Sequence, residues 1–178
     1  AVEFTGLEAG TYYIVEVIPP AGYKLSATTA TEFSIDRLGN IKTGEMIDTH
    51  SHIYAEEFDQ DRGETLERAW NAGVELMLLP DIDSESRDRM FSLAQQEPER
   101  CLPMVGLHPT SINDNPNWVS ELDMVEKLLH DAPTKIWGVG EIGLDLYWSQ
   151  DYYRQQREAL HAQLELSLQH NLPVVIHT

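Results

Sequence analysis

Two histidines separated by one residue, His50 and His52, have the type and spacing to bind a metal ion. They lie in the stretch MIDTHSHIY, in which Met46 and Ile47 indicate a short buried strand. Residues i and i+2 of a strand project from one face, so both imidazoles can reach the same ion. Neutral imidazole is the commonest metal ligand in proteins. The pair alone is also compatible with two ordinary polar residues at the end of a strand.

Further ionisable residues lie at the predicted carboxyl ends of other strands. His108 follows VGL, Glu141 and Asp145 fall in GVGEIGLD, and His177 ends LPVVIH. The carboxyl ends of parallel strands are where α/β folds place their sites. A carboxylate in an apolar strand is costly to bury without a positive partner, and residues 136–153 contain no Lys or Arg. The repetition therefore favours a metal site.

Other histidines and carboxylates near this pattern have weaker claims to a role. Asp48 faces the same side as His50 and could orient a histidine instead of binding metal. Three more histidines fall in predicted helices and are interpreted as solvated or helix-end residues: His130, His161 and His170.

Aromatic residues flank the same segments. Trp137, Trp148 and the Tyr152-Tyr153 pair could stack on nucleobases, but packing in the core or at a barrel rim is the favoured interpretation. Cys101 opens an apolar run and is expected to be buried.

The elements that must position these residues alternate between strands and helices from Met46 onward. Apolar runs predict strands over 46–50, 74–79, 102–107, 136–142 and 173–177. Helical spacing predicts helices over about 62–72, 84–97, 117–130 and 151–170. This alternation with short links is typical of βαβ units, so the predicted fold class is α/β with a parallel sheet.

Helix-end signals support these limits. Asp61 and Glu64 have the spacing of a capping box. Ser84 and Ser149 are predicted N-caps, and Asn171 followed by a proline two residues later predicts the end of the last helix.

Residues 1–45 follow a different pattern, which predicts an all-β segment. Thr11–Ile18 is rich in β-branched and aromatic residues, and Thr31–Gly44 alternates around a turn at Gly39-Asn40. The predicted domains are therefore 1–45 and 46–178, with the boundary at Gly44-Glu45-Met46.

Charge restricts the ways in which the chain could contact nucleic acid. The net charge is −18, and residues 46–178 hold 9 basic and 24 acidic side chains. Such a surface repels phosphate, so nucleic-acid chemistry would need a local positive centre such as a metal cluster. No apolar run approaches the ~20 residues that span a bilayer, and no secretory leader is visible, so neither membrane insertion nor export is expected.

Residues 46–178 resemble the N-terminal part of the TatD family of metal-dependent hydrolases. The matching stretches, in the family's order, are MIDTHSH, GLHPT, GVGEIGLDLYW and LPVVIHT. The resemblance implies a partial (β/α) TIM-type barrel of about five βα strands and a site for two divalent metal ions, of which Mg, Mn and Zn all remain open. It also implies cleavage of DNA or another phosphodiester by a two-metal-activated water, and a cytoplasmic location.

Carried over position by position, the resemblance implies specific roles. His50 and His52 would bind one metal, Glu141 would bridge both, and His177 would bind the second. His108 matches a family histidine near the reacting phosphate, which implies a catalytic role on the substrate side. The family pattern continues with a further histidine and an aspartate that would lie beyond Thr178, so an open five-stranded portion with an unpaired edge is expected.

Residues 1–45 resemble part of a Cna-B-type repeat of surface proteins and pilins. The matching text is FTGLEAGTYYIVEVIPPAGYKL followed by TEFSIDRLGNI, and the motif glutamate falls on Glu16. The resemblance implies cell-surface relatives for this segment. Its crosslinking lysine and asparagine would both lie outside the segment, so we expect no isopeptide bond. An intact mass lower by one ammonia would contradict this expectation.

These two resemblances predict a chimera and leave two functions open. The first is a TatD-type hydrolase, incomplete in this chain. The second is a β-sandwich structural module of the surface or pilin type fused to an inert metal-binding fragment. Whether a partner chain completes the site is left open.

Overall fold

The computed structural model describes residue 8 and residues 10–14, 31–35, 41–43 and 46–177. Two compact units are present, one of Ala1–Met46 with Ala69–Glu75 and one of Ile47–Arg68 with Leu76–Thr178. Among the described residues, no helix is long and apolar enough to cross a bilayer.

The first unit contains a three-stranded antiparallel sheet. Its strands are β1 (Gly10–Ile14), β2 (Thr31–Ile35) and β3 (Ile41–Thr43). Backbone pairing joins Tyr12 to Phe33 and Ser34 to Lys42. The predicted turn at Gly39-Asn40 and the motif glutamate lie outside the described residues. The all-β character of the whole segment, and the domain boundary after it, therefore stay predictions.

The second part of the chain alternates strands and helices as the pattern predicts. The strands are β4 (Met46–Asp48), β5 (Val74–Leu79), β6 (Cys101–Pro103), β7 (Val139–Gly143) and β8 (Val174–His177). The helices are α1 (Arg62–Asn71), α2 (Ser84–Gln96), α3 (Trp118–Asp131) and α4 (Tyr153–His170). Two 3-10 helices cover Glu56–Phe58 and Pro109–Ile112.

The strands of this second part, β4 to β8, form two hydrogen-bonded groups, and an isolated β-bridge lies between them. One sheet has the order β4-β5-β6, and β7 pairs with β8. The β5–β6 and β7–β8 pairs are parallel, and a parallel bridge joins Val105 to Val139. The predicted α/β class with parallel strands is confirmed, and this arrangement is consistent with part of a barrel.

The third predicted strand, 102–107, is shorter and less regular than its apolar run indicates. Regular pairing ends at Pro103, yet Val105 still donates to the carbonyl of Gly138 and accepts from the amide of Gly140. A Cβ atom on Gly106 would lie 2.8 Å from the carbonyl carbon of Gly140. The two backbones therefore approach as closely as they do only because residue 106 has no side chain.

Two of the predicted N-caps differ from those in the structure. Asp83, and not Ser84, is the N-cap of α2, since its carboxylate accepts hydrogen bonds from the amides of residues 85 and 86 at 3.1 and 3.3 Å. At α4, Ser149 accepts from the amide of Asp151, one turn before the helix begins at Tyr153. The predicted end at Asn171 is confirmed, because this residue adopts a left-handed conformation with φ of 51°.

The core of this part is formed by strand residues and the inner faces of the helices. The fully buried side chains include Leu79, Met90, Met104, Val139 and Ile142. Cys101 is also fully buried, as predicted. Burial of these apolar side chains stabilises the strands whose carboxyl ends carry the candidate site.

Candidate metal centre

Glu141 lies at the centre of four imidazole rings. Its Oε2 atom is 2.9 Å from Nε2 of His50 and 3.3 Å from Nε2 of His52. Its Oε1 atom is 2.8 Å from Nδ1 of His177 and 3.5 Å from Nε2 of His108. Each carboxylate oxygen thus faces its own pair of rings. The structure brings together all five residues that the sequence analysis named for the site.

These residues come from separate strand ends. His50 and His52 follow β4, Glu141 lies within β7, and His177 ends β8. His108 follows the irregular continuation of β6, and its amide donates to the carbonyl of Ile82. Their possible ligand atoms form two groups that share Glu141, and within each group the atoms lie within 4.8 Å of one another.

The ring of His52 is oriented by a buried tyrosine. The hydroxyl of Tyr54 donates to the carbonyl of Pro80 at 2.5 Å, and Nδ1 of His52 lies 2.9 Å from the same oxygen. Burial raises the pKa of Tyr54, so its hydroxyl stays protonated. Since that proton is given to Pro80, the hydroxyl accepts from Nδ1–H of His52. In the neutral ring, Nε2 of His52 is then the unprotonated nitrogen, and it faces Glu141.

His177 is oriented in the same way by a carboxylate. Its Nε2 atom lies 3.0 Å from Oδ2 of Asp145. Burial alone would raise the pKa of Asp145, but hydrogen bonds from the Trp148 amide, the His177 ring and the Tyr147 amide hold it below its usual value. An ionised carboxylate only accepts, so Nε2 of His177 carries a proton and Nδ1 presents its lone pair to Glu141.

His108 differs from the other three rings in its hydrogen bonding. Its Nδ1 atom accepts from the backbone amide of Thr110 at 3.2 Å. In the neutral ring, the proton is therefore on Nε2, which points at Nδ1 of His177 at 3.1 Å. His108 thus presents a hydrogen-bond donor to the centre, whereas His52 and His177 present lone pairs.

This arrangement of donors and acceptors requires positive charge near Glu141. Burial alone would raise the pKa of Glu141, but the rings of His108, His52 and His177 outweigh burial and hold its pKa well below the ordinary range. The carboxylate is therefore ionised. In the tautomer that has its proton on Nε2, His177 presents a lone pair to this carboxylate at 2.8 Å instead of a hydrogen bond, and two such acceptors repel unless a proton or a metal ion lies between them. The residues present fit a divalent metal ion.

Among the described residues, Asp48 forms no hydrogen bond or ion pair with a histidine ring. Its carboxylate accepts from the backbone amide of His50 at 3.1 Å. Of the two roles considered for this residue, the structure therefore favours the supporting one, exerted on the backbone instead of the imidazole.

A buried ion pair beneath the site was missed by the sequence analysis. Asp81 is fully buried, and its Oδ2 atom lies 2.6 Å from Nε of Arg87. Burial raises the pKa of Asp81 to about 7, against the opposing effect of Arg87. The backbone of Asp81 also donates to the carbonyl of Gly140 and accepts from the amide of Glu141, at 2.8 and 2.9 Å. Asp81 follows β5 by two residues, so its place at a strand end was visible in the sequence.

Two buried glutamines of α4 also support the site. Gln156 accepts from the amide of Asp145 at 2.8 Å and donates to its carbonyl at 2.9 Å. Gln163 accepts from the amide of Leu107 at 2.7 Å and donates to its carbonyl at 3.2 Å. The side-chain amide of each glutamine therefore fixes the backbone at or beside a residue of the site. The two glutamines are seven residues apart and therefore lie on one face of α4, and this spacing was the signal in the sequence that could have identified them.

The remaining histidines lie outside the centre, as predicted. His161 is exposed on α4, 3.7 Å from Glu165, and the rings of His130 and His170 lie 4.7 Å apart at the ends of α3 and α4. The packing interpretation of Trp148 is wrong, because 73% of this residue is exposed. Trp137 is 39% exposed and packs under the ammonium of Lys135.

Comparison with known proteins agrees with this geometry. A family profile described as "TatD related DNase" matches residues 47–178. The chain belongs to the TatD-related DNase family. The family match therefore agrees with the α/β arrangement, with the cluster of histidines around a carboxylate, and with the resemblance deduced from the motifs.

Relatives within the TatD family show how much of a family member's length this chain spans. An uncharacterized metal-dependent hydrolase, YjjV of Escherichia coli K12, is 33% identical over 133 residues, which are 75% of this chain and 50% of that protein. The 3′-5′ ssDNA/RNA exonuclease TatD of Erwinia tasmaniensis is 31% identical over 74% of this chain and 49% of its own length. The crystal structure of E. coli YjjV, a TatD homologue, superposes with a TM-score of 0.66 at 32% identity over 74% of this chain and 50% of that one. The chain thus spans about half the length of the relatives it matches.

A second profile, described as a prealbumin-like fold domain, matches residues 1–50 with low significance. It does not by itself establish the Cna-B-type resemblance of that segment. The Cna-B relationship, its implied cell-surface origin and the chimeric origin of the chain therefore stay predictions.

Proposed function

We propose that residues 46–178 provide part of the active site of a nucleic-acid phosphodiesterase that uses two divalent metal ions. The observation that carries this proposal is the double role of Glu141, whose two oxygens face two separate groups of imidazoles. A carboxylate so placed is suited to bridge two ions. TatD of Erwinia tasmaniensis is named as an exonuclease of single-stranded DNA and RNA, which supports nucleic acid as the substrate class.

The donor set suggests which residues would hold each ion. His50 and His52 would hold one together with Oε2 of Glu141, and His177 would hold the other together with Oε1. Histidine and carboxylate ligands suit Mg, Mn and Zn alike, so the identity of the ions is left open. Bound divalent ions would supply the positive charge for a phosphodiester and the activation of a water molecule.

The other residues of the site would act on the substrate or on the ligands. His108 presents an N–H group, which is suited to donate to a phosphate oxygen, so we assign it to the substrate side. Asp145 and Tyr54 would keep His177 and His52 in the tautomers that leave a nitrogen free. The excess of acidic over basic side chains supports this arrangement, because a metal centre would supply positive charge for the phosphate.

Metal content and nuclease activity of matched variants test the proposal. The full chain and the variants Glu141→Ala, His50→Ala, His108→Ala and His161→Ala are dialysed against Mn²⁺, and bound metal is measured by elemental analysis. Cleavage of a labelled single-stranded oligonucleotide is measured in parallel. We expect Glu141→Ala and His50→Ala to lose metal and activity, His108→Ala to lose activity alone, and the exposed control His161→Ala to lose neither. Unchanged metal content in Glu141→Ala would refute the bridging role.

The structural-module alternative is favoured by two observations on the first unit. Strands β1–β3 form an antiparallel sheet, and the prealbumin-like profile matches residues 1–50. Binding of Mn²⁺ by the full chain without cleavage of the oligonucleotide would favour this alternative.

A further inference from the structure

Two adjacent aromatic residues beside the metal centre are strongly exposed. Tyr147 is 84% exposed and Trp148 is 73% exposed, and both lie in the loop between β7 and α4. Their rings meet edge to face, with centroids 4.9 Å apart and an interplanar angle of 89°. Leu146, immediately before them, is 41% exposed. Single exposed apolar residues are ordinary, but a contiguous exposed group of this kind marks a contact surface.

A single carboxylate ties this loop to the metal centre. Oδ1 of Asp145 accepts from the amides of Tyr147 at 3.0 Å and Trp148 at 3.3 Å. Oδ2 of the same carboxylate holds the ring of His177 at 3.0 Å. Gln156 fixes the backbone of Asp145 from below. The loop is therefore held in place next to a candidate ligand, and its aromatic rings project from a positioned backbone.

The charge of the molecule explains why aromatic surface would be needed there. A segment with 24 acidic and 9 basic side chains gains little from contacts with phosphates away from the metal centre. Stacking of a nucleobase on an aromatic ring does not depend on positive charge, and every base offers a π-face. A base in duplex DNA is already stacked on both sides, so only an unpaired base could use such a surface.

We propose that Tyr147 and Trp148 form a stacking site for an unpaired nucleobase next to the scissile phosphate. This assignment rests on the proposed phosphodiesterase function and adds to it the residues that would hold a base of the substrate strand. The occupant is a base of the substrate strand, held on Trp148 while its neighbouring phosphate lies at the metal centre.

Binding measurements separate this site from hydrolysis. The probe is a fluorescein-labelled, phosphorothioate-linked oligothymidylate in magnesium buffer, and affinity is measured by fluorescence anisotropy. A probe with the same backbone but abasic sugars is the comparison. We expect Trp148→Ala to weaken binding of oligothymidylate about tenfold or more and to leave binding of the abasic probe unchanged. Trp148→Phe should keep the affinity but lose the quenching of tryptophan fluorescence by oligothymidylate.

Trp137 provides a matched control, because it is also an exposed tryptophan but precedes β7, whereas Trp148 follows that strand. Trp137→Ala should bind both probes like the unaltered chain. Equal affinity of Trp148→Ala and the unaltered chain for oligothymidylate would overturn the proposal, as would an equal loss for both probes. A change of oligomeric state in Trp148→Ala with no change in binding would instead assign the pair to contact with a second copy. Base-dependent binding together with unchanged metal content in Glu141→Ala would uphold the stacking site while refuting the proposed two-metal site.

Discussion

At the scale of single residues, the hydrogen-bond partners of each ring decide what it offers to the centre. Tyr54 and Asp145 occupy the outer nitrogens of His52 and His177, so the inner nitrogens carry lone pairs. Thr110 donates to the outer nitrogen of His108, which makes its inner nitrogen a donor. These three chemically identical side chains thus divide into two metal-type ligands, His52 and His177, and one substrate-type donor, His108.

The tyrosine beneath His52 offers a direct test of this division. Tyr54→Phe removes the acceptor for Nδ1–H of His52 and should lower metal affinity about 10- to 100-fold, because the ring loses its fixed tautomer. Isothermal titration with Mn²⁺ measures the affinity. Tyr153→Phe, at an exposed tyrosine of α4, is the control and should leave the affinity unchanged. An unaltered affinity in Tyr54→Phe would show that the hydroxyl does not orient a ligand.

The single cysteine should be chemically silent in the folded chain. Cys101 is fully buried, and burial raises the pKa of its thiol to about 12. A raised pKa favours the protonated, unreactive form at every pH below that value. We expect negligible alkylation by iodoacetamide between pH 7 and pH 9 and complete alkylation in urea, as measured by mass spectrometry. Fast labelling of the native chain would contradict the burial.

At the scale of elements, α2 and α4 carry polar side chains that hold the strand ends from behind. Arg87 of α2 pairs with Asp81, whose backbone is hydrogen-bonded to Gly140 and Glu141. Gln156 and Gln163 of α4 hold the backbones next to the centre. These helices therefore position the site as well as cover the sheet.

Removal of Arg87 should destabilise this part of the chain strongly. Arg87→Met leaves Asp81 buried without its cationic partner, and loss of one member of a buried pair costs about 3–5 kcal/mol. Urea denaturation followed by circular dichroism measures the free energy of unfolding. The control is Arg89→Met, at a surface arginine paired with Asp59, which should cost much less. Equal losses in the two variants would argue against a structural role for the buried pair.

At the scale of the whole molecule, the candidate centre joins segments that are distant in the chain. The segment after β4 and strands β7 and β8 each contribute ligand-type atoms, and the carboxylate of Glu141 lies against histidines on both sides of it in sequence. The ionised carboxylate of Glu141 and the ring lone pairs that face it repel one another unless a proton or a metal ion lies between them. Metal binding should therefore stabilise the folded state relative to the unfolded chain.

Thermal unfolding tests this dependence. A ligand that binds only the folded state adds about 2.7 kcal/mol of stability at 100 times its dissociation constant. We expect the melting temperature to rise with Mn²⁺ in the full chain and in His161→Ala, and to stay constant in Glu141→Ala. The measurement is differential scanning calorimetry with and without chelator. A rise of equal size in Glu141→Ala would place the stabilising ion elsewhere.

Much of the candidate site could be predicted because its signals are local. The alternation of apolar runs and helical patterns indicated βαβ units, and the residues at their ends indicated where chemistry would lie. Asp81, Gln156 and Gln163 escaped prediction because the backbone groups to which each is hydrogen-bonded are distant in the chain, and spacing along the sequence does not identify such partners. Trp148 was assigned to packing because an aromatic residue carries the same pattern whether it is buried or exposed.

The sequence by itself determined the kinds of ligand and the order in which strand ends present them, because strand and helix periods are properties of neighbouring residues. Only the tertiary structure decided which nitrogen each ring turns toward Glu141. That choice depends on contacts such as Tyr54 to Pro80, 26 residues apart, and His52 to Glu141, 89 residues apart. The tertiary structure also showed that MIDTHSHIY contains both the pair of histidines and the tyrosine that orients one of them.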